Sequence, residues 1–172
     1  MFIKEGEIMT INELKKYSIF FDMVLQISPK LCLIDNTVGN LESYYKVEDN
    51  TICIDKRYLN GIQLMGNDYD DMDQRLISVL AHEKRHAYQY MNLSPQWQSE
   101  FDQELDPIKD EALYLQQDIE IDARAFSVMI QSRLFNKFMS VDELIREKVV
   151  QRANELYVQY KSVLDSILPP GR

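Results

Sequence analysis

Histidine is almost missing from this chain: 172 residues contain two. Cysteine is as scarce, with Cys32 and Cys53 each in a short apolar run and in no CxxC pair. They read as buried free thiols, with a disulfide as the lesser alternative. No apolar run approaches the length of a membrane span. The opening Met1-Phe2-Ile3-Lys4-Glu5-Gly6-Glu7-Ile8 is neither basic nor apolar enough for a signal peptide, so the expected location is the cytoplasm. No stretch gathers Lys and Arg into a stripe, and the net charge is -9. That balance argues against nucleic acid or an anionic membrane as the main partner. Repeats, low-complexity tracts and linkers are also lacking. One domain over residues 1–172 is expected, with loose ends at 1–9 and 169–172.

What is present describes an ordinary globular chain, 45% hydrophobic and 27% charged. A chain of this length buries a sizeable core without a structural metal, so any metal site is more plausibly catalytic than a folding staple. Acidity clusters in Asn67-Asp68-Tyr69-Asp70-Asp71-Met72-Asp73. This run reads as a solvated loop leading into a helix cap, since it lacks the glycine and the closing Glu of a calcium loop.

The expected fold class is α+β, a small sheet of about three strands followed by packed helices. Thr10-Ile11-Asn12-Glu13 fits a capping box and opens a helix to about Ile27, which Ser28-Pro29 stops. Leu31-Cys32-Leu33-Ile34 reads as a buried strand. Residues 43–48 and 51–55 read as a pair joined by Asp49-Asn50. A helix capped by Asp70 or Asp71 runs through Leu76 and Leu80 to Tyr90, and its apolar first half marks it as central. Ser94-Pro95 starts a short helix, Asp106-Pro107 a long one to about Phe135, and Ser140-Val141-Asp142-Glu143 a last one to about Leu168. The last carries an apolar stripe of Leu144, Ile145, Val149, Leu156, Tyr160 and Leu164. Core packing explains it better than a partner-docking or dimerising helix.

The two histidines stand four residues apart in Leu80-Ala81-His82-Glu83-Lys84-Arg85-His86, the HExxH pattern of zinc peptidases. Four residues is just over one helical turn, so both imidazoles leave one face and can grip one ion. Glu83 follows the first ligand and is placed to act as general base. The competing reading is two surface histidines on an ordinary helix. Catalytic zinc takes three protein ligands as a rule. No third histidine exists and the cysteines lie upstream, so a downstream carboxylate is needed. The candidates are Glu100, Glu104, Glu111, Asp118, Glu120 and Asp122. Helical phase sets Asp118 and Asp122 on or beside the stripe Leu115, Ile119, Phe126 and Met129, with Glu120 nearly opposite. Phase alone does not choose among them, but Glu120 and Asp122 cannot both bind one ion from a regular helix.

Ala81-His82-Glu83-x-x-His86-Ala87 and Glu120-x-Asp122-Ala123-x-Ala125-Phe126 resemble the gluzincin branch of the zincin metallopeptidases. The likeness is greatest to compact members carried by phages and mobile elements, including ImmA/IrrE-like peptidases, and it covers roughly residues 51–130. The resemblance implies a zincin-like fold with HExxH on a central helix and one Zn²⁺ held by His82, His86 and Glu120. In such proteins a small residue three positions after the ligand Glu lets two helices approach, and Ala123 stands there. Larger gluzincins have Asp four residues after that Glu, where this chain has Arg124. Asp122 is the candidate to orient an imidazole instead, or it pairs with an arginine such as Arg85.

The resemblance also implies that Thr51, Ile52, Cys53, Ile54 and Asp55 form a sheet-edge strand along which a peptide substrate lies antiparallel. An internal strand with a buried Cys53 is the plainer alternative. The expected activity is an endopeptidase acting on a protein partner. A zincin-like binding module from a phage or mobile element that no longer cleaves is the alternative. The residue that steadies the oxyanion is open among Tyr88, Tyr90, Tyr114 and Arg124.

Overall fold

The computed structural model describes residues 9–35, 43–59, 69–92, 95–101, 105, 109–137 and 140–168. The expected loose ends at 1–8 and 169–172, the candidate ligand Glu104, the start at Asp106-Pro107 and the first two residues of the acidic run, Asn67 and Asp68, lie outside them. The chain is α+β, mostly helical, with a small mixed sheet of three strands. It divides into two compact units, Met1–Ala87 and Tyr88–Arg172.

In the first unit, α1 (Ile11–Leu25) begins where the sequence places it. The Thr10 side chain accepts from the Glu13 amide, and Glu13 accepts from the Thr10 amide at 2.7 Å, so two orphan donors are satisfied at once. The helix ends at Leu25, two residues before the expected Ile27, because Gln26 turns left-handed at φ 55. Its inner face buries Leu14, Tyr17, Phe20, Phe21, Val24 and Leu25. Each large side chain sealed there contributes about 1.5–3 kcal/mol of transfer free energy.

The strands are β1 (Lys30–Ile34), β2 (Tyr44–Lys46) and β3 (Thr51–Asp55), in the order β1-β3-β2. β2 and β3 are the expected antiparallel pair. Asn50 takes the left-handed position of the connection at φ 48, its amide donates to the Val47 carbonyl, and its side chain accepts from the Tyr45 hydroxyl at 3.0 Å. β1 joins the other side of β3 in parallel, from Lys30 opposite Thr51 to Ile34 opposite Asp55. Its residues alternate between exposed and half-buried, so it is not the buried strand its apolar sequence suggests. The buried strand is β3, with Ile52 and Ile54 fully enclosed.

The helix α2 (Tyr69–Met91) starts at Tyr69, so Asp70 and Asp71 lie inside its first turn rather than capping it as expected. Leu76, Ile77, Leu80 and Ala81 are completely buried. That enclosure fits the apolar first half of the helix.

In the second unit come α3 (Pro95–Phe101), α4 (Glu111–Leu115), α5 (Asp118–Phe135) and α6 (Arg146–Ile167). Pro95 takes the first position of α3, where its missing N–H is no loss. The single long helix expected to reach Phe135 is broken at Gln116–Gln117 into α4 and α5. α6 starts at Arg146 rather than after Ser140, because residues 143–145 form a turn in which Asp142 Oδ1 accepts from the Leu144 amide at 2.8 Å. α5 and α6 pack together, with Phe126 and Tyr160 meeting edge to face at 6.0 Å. Ile145, Val149, Leu156, Tyr160 and Leu164 are buried, which places most of the α6 stripe in the core, whereas Leu144 is exposed. None of the described helices is long and apolar enough to cross a membrane.

Candidate metal centre

Helical spacing turns the HExxH residues to adjacent positions on α2. His82 is half-buried, and Glu83 and His86 are buried. The two Nε2 atoms lie 2.9 Å apart and the rings meet at 85°. At that distance one ring nitrogen can donate to the other, in a direction set by the tautomer, and the same two nitrogens are near enough to serve one cation. Tyr58, in a 3-10 turn at Lys56–Tyr58, is also buried. Burial raises its phenol pKa and Arg75 opposes that, while the charges of Asp55 and Glu83 add to the rise. Glu83 therefore lies within electrostatic reach of Tyr58, a neighbour that no motif announces.

Glu120 occupies the first turn of α5 and is 2% exposed. The Tyr114 hydroxyl, on α4, donates to its Oε1 at 2.6 Å, and Arg124 Nη2 stands 3.8 Å from Oε2. One carboxylate oxygen is thus fixed by a phenol, and a helix N-terminus favours the negative charge. Among the described residues one set of three ligand side chains converges: an atom from each of His82, His86 and Glu120 lies within 4.8 Å of the other two. Structural and catalytic zinc ions are bound by imidazole and carboxylate groups, so this donor set of two imidazoles and a carboxylate suits zinc in kind.

The other carboxylates have different work. Glu100 accepts from the Ile119 amide at 2.9 Å and so caps α5 from α3. Glu111 and Asp118 are exposed. Asp122 is buried, with Oδ2 accepting from Gln89 Nε2 and Oδ1 from Arg152 Nε, both at 2.8 Å. Gln89 also donates to the Ile119 carbonyl at 2.9 Å. Asp122 thus ties the end of α2 to α5 and α6, with Arg152 as an arginine partner. Nothing near Asp122 in sequence points to Arg152, thirty residues on.

Thr51–Asp55 is corrected as a substrate edge. β3 is the central strand: β1 pairs along all of it, and β2 pairs with Thr51, Ile52 and Cys53. Thr51, Ile52 and Cys53 have strands on both sides, so a peptide cannot add alongside them, whereas Ile54 and Asp55 are strand-paired on the β1 side. Asp55 is fully buried and accepts from the Arg57 amide at 2.8 Å and from Arg57 Nη2 at 2.6 Å, closing the turn that follows.

Neither protein-family models, nor curated proteins, nor solved structures give a match to this chain.

Proposed function

We propose that the chain is a zinc-dependent endopeptidase of the gluzincin kind, with a zincin-like fold, acting in the cytoplasm on a protein partner. The observation that carries this reading is the convergence of His82, His86 and Glu120, with the buried Glu83 beside the first histidine. These three residues would hold one Zn²⁺. When bound, the ion supplies Lewis-acid polarisation of a peptide carbonyl and acidifies water. Glu83 takes the proton from the attacking water and returns it to the leaving amine. Tyr114 keeps Glu120 in one orientation through its 2.6 Å hydrogen bond, so the ligand carboxylate needs little reorganisation.

The test begins with metal content. The purified chain is expected to retain one zinc per molecule, and a chain that takes up no stoichiometric zinc sinks both the site and the activity. Glu83→Ala should keep the zinc and lose at least about 100-fold in cleavage. Cleavage that survives this change removes Glu83 as the base. Proteins trapped by the Glu83→Ala chain would identify the substrate.

A further inference from the structure

The sheet gathers one row of side chains that the proposed chemistry does not use. Cys32 on β1 and Cys53 on β3 are direct partners in the parallel register, and Tyr44 on β2 faces Cys53 from the other side. Directly partnered residues project from the same face of a sheet, and neighbouring strands run about 4.8 Å apart. That spacing falls within the roughly 4.4–6.8 Å between Cα atoms that a disulfide spans. Both residues are free thiols in very different surroundings: Cys32 is exposed and Cys53 is buried. Burial pushes the Cys53 thiol pKa up, a hydrogen bond with the Tyr44 side chain draws it down, and the neighbouring Cys32 raises it further. A reagent in solution meets Cys32 first, and the sulfur next to reach is Cys53.

We propose that Cys32 and Cys53 form a reversible intramolecular redox couple, with Cys32 the attacking thiol, Cys53 the resolving thiol and a small soluble disulfide the oxidant. In the first step Cys32, as thiolate, attacks one sulfur of the oxidant RSSR. A Cys32–S–S–R bond forms, the oxidant's S–S bond breaks, and RS⁻ leaves and takes up a proton. In the second step Cys53 gives its proton to solvent and attacks Cys32 Sγ. The Cys32–Cys53 bond forms, the bond to R breaks, and the second RS⁻ departs and is protonated. Two protein thiols are oxidised and one disulfide is reduced to two RSH. The bond joins β1, which among the described strands pairs with β3, to the central strand. The couple is independent of the metal reading and stands if that reading fails.

The full chain is incubated with oxidised glutathione, its remaining thiols are alkylated, and the intact mass is read. The expected product is a monomer lighter by about 2 Da, with neither cysteine alkylated and full reversal by dithiothreitol. Cys53→Ser should stall after the first step, holding one glutathione of about 305 Da on Cys32. Cys32→Ser should resist modification. A wild-type chain that accumulates the glutathione adduct, links into disulfide dimers or keeps two alkylatable thiols overturns the proposal. If Cys53→Ser does not fold, peptide mapping of the oxidised wild type decides: a crosslinked Cys32–Cys53 peptide supports the couple, and its absence refutes it.

Discussion

Two buried ion pairs in this protein handle charge in opposite ways. Lys84, inside the HExxH segment, is completely buried and pairs with Asp22 of α1. Burial pushes the Lys84 pKa down and the Asp22 pKa up, and in each case it outweighs the partner's attraction. Both groups are thus drawn toward their neutral forms. Arg152 and Asp122 differ. Burial also opposes the charge of Arg152, but the hydrogen bonds to Glu155 and Asp122 outweigh it and the guanidinium pKa rises. The difference lies in the count of partners: among the described residues Lys84 and Asp22 have each other, whereas Asp122 also takes Gln89 and Arg152 also takes Glu155. A buried charge is held firmly when several groups replace its water, and held at a cost when one does.

The largest expected break in this contrast is Asp122→Ala. It leaves the fully buried Gln89 and the half-buried Arg152 short of an acceptor. Urea unfolding should show a loss of about 3 kcal/mol. A loss below about 1 kcal/mol would place this pair with the weaker one. Lys84→Met is expected to cost less, within about 1 kcal/mol, because an apolar chain fills the same space and Asp22 keeps some access to water. The double change Lys84→Met with Asp22→Leu should equal or exceed the wild type in the same measurement. A loss of about 3 kcal/mol from the double change would show that the pair is strongly favourable after all.

The smallest effect is in pH dependence. The Asp22 pKa is raised above 3.8, so its contribution to stability is complete below 3.8 and is lost as the pH climbs through the raised value. Asp22→Asn should therefore gain on the wild type between about pH 3 and pH 7. The exposed Asp165 is its opposite. The Lys161 hydrogen bond lowers its pKa, so its contribution is present above 3.8 and disappears as the pH falls through the lowered value. Asp165→Asn should trail the wild type slightly at neutral pH and converge with it in acid. Parallel pH curves for the two variants would remove the contrast.

What the sequence revealed followed the range of the interaction responsible. The capping box at Thr10, the turn at Asn50 and the HExxH face are each written within a few residues, and each is found where it was expected. The break between α4 and α5 was hidden, because Glu111 to Asp118 contains neither Gly nor Pro. The start of α5 is set by Glu100, from a separate helix. Ser140-Val141-Asp142-Glu143 misled for a related reason: a short polar side chain serves a tight turn as readily as a helix start, and Asp142 serves the turn. Strand order was illegible too. Nothing local says that β1 will lie parallel to β3, and that pairing moves Thr51–Asp55 from the edge to the middle. At the candidate site both histidines and Glu83 were legible from spacing, and Glu120 from the resemblance. Tyr58 and Tyr114 were not, since no pattern separates either from the other tyrosines.

The placement of β3 between its neighbours also sets an order of assembly. β2 and β3 are joined by four residues, so their hairpin closes on a timescale of about microseconds. β1 must bring together residues about twenty apart, across a chain still losing its freedom, before its first bond to β3 forms. The half of the sheet nearest in sequence is therefore the template, and β1 is the late arrival. Substitutions in the 47–50 turn should slow folding, whereas substitutions in β1 should mainly hasten unfolding.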